Sequence, residues 1–282
     1  DMEGSRGLGD VYKRQVSPQV MKNLNDAYNL NASEWDQYKD YMIGVIQGDF
    51  GPSFRYPGRS VTEMIATGLP VTFELAFYAM LVALFVGIIS GVIAALKRNT
   101  YFDFIPMAFA MIGICVPTFL MGPLLVLIFG ITLEVLPVSG WGQLPGDKLL
   151  PSLTLGFAYA AYIARLSRGG MLEVLNQDFI RTARSKGLPE HKVVIKHAMQ
   201  GGLIPVVAFM GPAIAGLLSG SFVVETIFQI PGLGRFYVEA AFNRDYTMIL
   251  GTTIFFSAMI VFFNLLSDLA SLWLNPRSRD SS

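Results

Sequence analysis

Phe104–Leu133 reads FIPMAFAMIGICVPTFLMGPLLVLIFGITL, thirty residues without one charged side chain. A helix needs roughly 20 predominantly apolar residues to cross a hydrocarbon core, so the reading of this stretch decides the fold class. Four more runs flank it. Pro70–Leu96 carries only Glu74, near its start, and Leu149–Ala164 carries no charge and ends at Arg165. Ala198–Val224 carries none, and neither does Tyr246–Ser267, which Asp268 follows. The run ending at Ala164 reaches spanning length only if Arg165 snorkels towards the headgroups. A soluble helical core would show polar outer faces, and these runs show almost none. The expectation is an all-α polytopic membrane protein with five transmembrane helices.

Composition agrees. The chain is 52% hydrophobic and 15% charged, whereas soluble domains carry about 25% charged residues. Lys and Arg number 21, as do Asp and Glu, so net charge makes no case for nucleic acid. What matters is where the charges fall. The single cysteine, Cys115, lacks a second thiol for a disulfide or a metal site. Its expected role is that of a small buried core residue.

Lys and Arg set the orientation. They gather after the first run (Lys97, Arg98), after the third (Arg165 to Lys196) and in the tail (Arg277, Arg279), so these ends are assigned to the cytoplasm. The intervening loops, including Glu225–Asp245, fall outside. Residues 16–68 then form an external, periplasmic module, 69–275 the transmembrane domain and 276–282 a cytoplasmic tail. An external module needs a leading helix to carry it across, so a sixth, N-terminal span is expected before Val16. The opening DMEGSRGLGDVYKRQ has no apolar stretch and reads as a non-native prefix over 1–15. Within the module, Ser17 and Pro18 start a helix presenting Val20, Leu24 and Tyr28. Ser33 starts a second, presenting Trp35, Tyr38, Met42 and Ile46. Trp35 and Phe50 are expected to pack on the membrane domain.

The basic stretch DFIRTARSKGLPEHKVVIKHAM, Asp178–Met199, stands apart from its apolar neighbours. Asp178 is placed to cap a helix over Phe179–Lys186, Gly187 to stop it, and Pro189 to start a second short helix that runs through Val193 and Val194. Phe179, Ile180 and Ala183 share an apolar face, with Arg181 and Arg184 turned away. A solvated loop would account for the charges but not for the apolar face or the glycine stop. A nucleic-acid reader is disfavoured by the tether between two membrane runs. A surface that docks into another protein fits all three features. His191 and His197 read as ordinary polar surface.

RTARSKGL (181–188), followed by LIP at Leu203–Pro205, resembles the cytoplasmic EAA-type loop of ABC-importer permeases. GDFGPSF from Gly48, GVIAALKRNTYFD from Gly91 and VVETIFQIPGLGRFYVEAAFNRDY from Val223 resemble the peptide and nickel branch of that family. Within the branch the likeness is to the B-type permease subunits of bacterial oligopeptide importers. Arg181 stands where the wider family often has Glu, a departure usual in this branch.

The resemblance implies the type I importer permease fold, in a bacterial inner membrane, with this chain forming half of the translocation pathway. It implies a second permease subunit, two cytoplasmic ATPase subunits that bind ATP and Mg²⁺, and an external peptide-binding protein. The chain itself would bind no cofactor. It implies a coupling arm over 178–197 whose contact residues are Phe179, Ile180, Arg181, Thr182, Ala183, Arg184, Lys186, Gly187, Leu188 and Pro189. In that arm Phe179, Ile180 and Ala183 would form the buried part of the ATPase contact, and Arg181, Arg184 and Lys186 its rim. Independently, the sequence has no G-x-x-x-x-G-K-[ST] phosphate cradle. Pro117, Gly122, Pro123, Pro205, Gly211 and Pro212 are candidate hinges, or else sites of close helix packing. Two alternatives stay open: a dipeptide or nickel permease of the same branch, and a secondary transporter. The latter would place ionisable residues in its spans, and the runs lack them centrally.

Overall fold

Ser60 and Glu63 form a reciprocal cap that opens the longest helix of the molecule. The structure, a computed structural model, describes residues 32–56 and 58–274. Ser60 Oγ accepts from the Glu63 N–H at 3.0 Å, and Glu63 Oε2 accepts from the Ser60 N–H at 3.3 Å. The helix they open, α2 (Val61–Leu96), follows α1 (Glu34–Ile46). Then come α3 (Tyr101–Cys115), α4 (Thr118–Leu125), a π-helical continuation π1 (Val126–Thr132) and α5 (Leu149–Leu175). The basic segment forms α6 (Asp178–Ser185), α7 (Glu190–Lys192), π2 (Val193–Ala198) and α8 (Met199–Gly202). The chain continues through α9 (Ile204–Ile227), α10 (Leu233–Asn243) and α11 (Tyr246–Leu274). Among the described residues no strand forms; Pro52 and Ser60 make an isolated antiparallel bridge.

Val61–Leu96, Leu149–Leu175, Ile204–Ile227 and Tyr246–Ala270 are each long and apolar enough to cross a membrane. A bent pair, Tyr101–Cys115 with Thr118–Thr132, supplies the fifth crossing candidate. The uninterrupted span expected over Phe104–Leu133 is therefore corrected: the chain turns by 112° between the two halves. The cause is local. Pro117 biases its predecessor away from helical backbone, and Val116 is extended, with ψ 116°. Two other boundaries also move. α2 begins nine residues before Pro70, which sits inside the helix. α5 runs eleven residues past Ala164, so Arg165 lies within it rather than at its end.

α2 and α5 form the central seam. A Cβ on Gly87 would lie 2.7 Å from Ile163 Cγ2 and 2.8 Å from the Ala160 carbonyl oxygen. Gly91 against Ala164, and Gly156 against Ala79, approach closely in the same way. Small residues let membrane helices gain contact at short range, where lipid offers no hydrophobic drive. Beside this seam Leu75, Leu150, Leu155, Leu217, Phe228 and Ile230 make the main buried cluster. Gly211 is pressed against Ser267 and the Phe263 carbonyl of α11, which favours packing over hinging at that position. Pro205 starts α9 within its first turn.

Before α2, Phe50 packs as expected, edge-on to Phe255 and against Gly251. Trp35 does not: it is 63% exposed and stacks on Tyr38. The half-buried side of α1 is Gln37, Tyr41, Met42 and Val45 instead. Cys115 is exposed at the end of α3, not buried. The helix expected from Ser17, the prefix and the tail lie outside the described residues.

Candidate functional site

The basic arm is built as two short helical pieces around one tight reversal. α6 starts after Gln177, with Asp178 as its first helical residue and no side-chain cap, which corrects the cap expected at Asp178. Asp178 instead lies 3.6 Å from Arg181, and its carbonyl accepts from Thr182 Oγ1 at 3.0 Å. The stop is as expected. Gly187 has φ +75°. Its N–H donates to the Arg184 carbonyl at 2.9 Å, and the Leu188 N–H reaches back to the Ala183 carbonyl at 3.4 Å. This is the Schellman pair of bonds, in which a left-handed glycine closes a helix end. Pro189 then precedes α7 in extended conformation. Across the reversal Arg184 grips Glu190, Nη2 to Oε1 at 2.6 Å and Nε to Oε2 at 3.2 Å. That hydrogen bond lowers the Glu190 carboxyl below its ordinary value.

The apolar face of α6 is real, but it faces its own chain. Ile180 is fully buried and Ala183 nearly so. They pack with Ala95 at the end of α2, Met171 and Val174 on α5, and Val193, Val194 and Ala198 of π2; Leu188 closes the edge. The expectation that Ile180 and Ala183 form the buried part of a partner contact is therefore corrected. Burial removes apolar area from water whichever surface covers it, and the nearest surface is the end of the helix bundle. Phe179, 47% exposed, stays outward together with Arg181, Thr182, Arg184, Lys186, Gly187 and Pro189. An outward face of one aromatic, several cations and rigidly turned backbone suits a protein partner with an apolar pocket and an acidic rim. His191 is exposed and His197 half-buried.

At the opposite end of α2 and α9, polar groups take over from apolar ones. The charge-free run stops at Val224, which by sequence places Glu225 in a loop. It is instead fully buried in the last turn of α9. Its carboxylate accepts from Thr72 Oγ1 at 2.8 Å, Ser221 Oγ at 2.7 Å and the Arg235 N–H at 3.0 Å. Thr72 Oγ1 in turn accepts from the Leu233 N–H at 2.9 Å. The start of α10 is thus fastened to α2 and α9 through the Glu225 carboxyl. A Cβ on Gly232 would lie 2.5 Å from the Glu225 carboxyl carbon, so the PGLG turn is glycine-rich for close approach. Ser221, four residues ahead of Glu225, is the signal the sequence offers.

Two more carboxylates organise further joints, Asp245 on the same side as Glu225 and Asp103 towards the arm end. Asp245 precedes α11 and accepts from the Ser53 hydroxyl, from the Phe54 and Met248 N–H groups at 3.1 and 3.2 Å, and from Thr247 Oγ1 at 3.0 Å. Asp103 on α3, nearly fully buried, takes Arg168 of α5 in a two-pronged pair at 2.6 and 2.8 Å. No group of three or more His, Cys, Asp or Glu among the described residues is arranged to hold a metal. The buried carboxylates of this structure hold helices and loops together through directed hydrogen bonds.

The family described as binding-protein-dependent transport system inner membrane component matches residues 87–280. The oligopeptide transport system permease protein OppB of Salmonella typhimurium is 43% identical over 268 residues, covering 95% of this chain and 88% of the relative. The dipeptide transport system permease protein DppB of Bacillus subtilis is 42% identical over 265 residues, covering 94% and 86%. Among solved structures, the inward-facing MetNI methionine ABC transporter superposes with a TM-score of 0.64 at 15% identity, over 75% of this chain and 96% of that one. An amino acid ABC transporter gives 0.57 at 16% identity, over 74% and 94%.

Proposed function

Because the chain belongs to the family of binding-protein-dependent transport system inner membrane components, we propose that it is the permease subunit of an ATP-driven importer for oligopeptides. With a second permease subunit it forms the translocation pathway across a bacterial inner membrane. Two cytoplasmic ATPases bind ATP and Mg²⁺, and an external binding protein delivers the peptide. The observation that carries the substrate class is 43% identity, over nearly the whole chain, to oligopeptide permeases. The dipeptide relative at 42% supports a second reading in which shorter peptides are carried. Family membership sets aside the secondary-transporter alternative, even though the buried Glu225 supplies an ionisable residue inside a span.

The coupling runs through the arm. Phe179, Arg181, Arg184 and Lys186 meet the ATPase, while Ile180 and Ala183 hold the arm to α2, α5 and π2. Closure of the ATPase pair on ATP then displaces the arm. Its buried cluster carries that displacement into α2 and α5, which pack against one another through glycines. Rigid helices and a few discrete joints suffice for alternating access.

ATP-dependent uptake of defined di-, tri- and pentapeptides by the complex reconstituted in vesicles tests this. Uptake of pentapeptides is expected; uptake confined to dipeptides selects the second reading, and uptake without ATPase subunits overturns both.

A further inference from the structure

Between α3 and the second half of α5 lies a cavity of about 280 Å³ lined by Met107, Met111, Arg165, Arg168 and Gly169. Two guanidiniums three residues apart on one helix face share it, and their situations differ. Arg168 is committed: both of its bonds go to Asp103, which is 2% exposed and also accepts the Asn99 N–H at 3.0 Å. Arg165 has no ion pair or hydrogen bond from its side chain among the described residues. The cavity therefore keeps one uncommitted cation after its own carboxylate is satisfied.

We propose that this cavity binds the headgroup of an anionic phospholipid, with Arg165 as the phosphate ligand. A guanidinium presents a planar fork of donors that matches two oxygens of a phosphate. The methionine walls are apolar and pliable, able to fit the glycerol region of a lipid. The space beside Gly169 is open, since a Cβ there would meet nothing within 4 Å. Depth agrees with the assignment. Arg165 lies about 24 Å along α5 from Leu149 at 1.5 Å per residue, near the far edge of a hydrocarbon core about 30 Å thick. Lys97, Arg98 and the arm gather at that same end, where anionic lipid is attracted.

The apolar flank distinguishes a lipid from free phosphate. α3 exposes Phe104, Ile105, Phe109 and Ile112, and Met111, which lines the cavity, is itself 56% exposed. A ligand with an anionic head and acyl chains covers both surfaces at once. Inorganic phosphate covers only the first. The proposal rests on the chain spanning a membrane, not on its substrate.

The test uses the full chain in detergent, titrated with phosphatidylglycerol, phosphatidylcholine or inorganic phosphate and read by native mass spectrometry. One retained phosphatidylglycerol is expected, with phosphatidylcholine held more weakly. Arg165→Gln should weaken retention about tenfold, the loss of a charge-assisted bond of about 1.5 kcal/mol. Arg165→Lys should fall between, and Arg181→Gln, on the outer face of the arm, should change nothing. Equal retention of both lipids, or wild-type retention by Arg165→Gln, overturns the proposal. So does binding of inorganic phosphate as tight as that of the lipid, or displacement of the lipid by a tripeptide, which would make the cavity a peptide site. Loss of peptide uptake with lipid retention intact would strike the transport reading alone.

Discussion

The two ends of the α2–α5–α9 bundle are fastened by different physics. At the arm end, Ala95, Met171, Val174, Ile180, Ala183, Val193, Val194 and Ala198 meet through apolar surface. At the other end, Thr72, Ser221, Glu225 and the backbone of Leu233 and Arg235 meet through directed hydrogen bonds. Apolar contact is non-directional, so it transmits force while tolerating small slides. Buried hydrogen bonds tolerate almost none, because an unmade one leaves a desolvated group behind. On the proposed coupling through the arm, this division would give a joint that yields slightly at one end and a rigid, all-or-none fastening at the other.

The comparison breaks most directly at Ala183. Ala183→Asp puts a carboxylate into the apolar joint, a cost of about 3–5 kcal/mol for an uncompensated buried charge. Faster tryptic cleavage after Arg181, Arg184 and Lys186 is expected, along with loss of ATPase co-purification. An unchanged digestion pattern would mean that the joint is not apolar in solution. At the opposite fastening, Glu225→Ala strands Thr72 and the Arg235 amide and should cost about 2–3 kcal/mol, seen as lower thermal stability in detergent. Glu225→Gln should recover only part of it, since its amide oxygen can accept from Thr72 and Ser221 while its NH2 leaves the Arg235 N–H without an acceptor.

Smaller effects sharpen the contrast. Gly187→Val places its Cβ in open space, with nothing within 4 Å. Its cost is therefore chiefly the left-handed backbone, about 1–2 kcal/mol. Reduced ATP-driven uptake at unchanged membrane expression checks it. The joint at Asp245 should respond to acid. Burial alone would raise its carboxyl, but the Ser53 hydroxyl, the Met248 and Phe54 amides and the Thr247 hydroxyl outweigh that and lower it. A folded value below the unfolded one gives stability that is full above about pH 4 and is lost as pH falls through the folded value. Thermal melts between about pH 6 and pH 3 should show this loss, and Asp245→Asn should flatten it. Least of all, Arg184→Ala removes a pair whose partners are 43% and 55% exposed. Exposed pairs contribute about 0–1 kcal/mol and are screened by salt, so ATPase retention should dip slightly at low salt and not at high.

How much of this is legible in the sequence depends on whether a feature is local. Charge-free runs mark the crossings because lipid admits little else for about 20 residues, and Gly187 marks its own stop because φ is a property of one residue. The face of α6 is legible as apolar, yet amphipathicity does not say what covers it; Ile180 and Ala183 serve their own bundle. Glu225 escapes a reading that ends a run at its first ionisable residue, because the Thr72 and Ser221 hydroxyls and the Arg235 amide satisfy its carboxyl inside. Pro117 announces a break but not its angle, which depends on where α4 finds packing against α5 and α9. The exposure of Trp35 follows from α1 being turned away from its expected face.

The break at Val116–Pro117 also places an experimental handle. The only thiol in the chain, Cys115, is exposed on the last residue of α3 before the 112° turn. A lipid-soluble nitroxide reagent would label that one position in the native sequence, with no need to remove other cysteines first. Its spectrum, recorded with nucleotide added and withheld, would report whether the corner opens during a transport cycle or stays a fixed part of the frame.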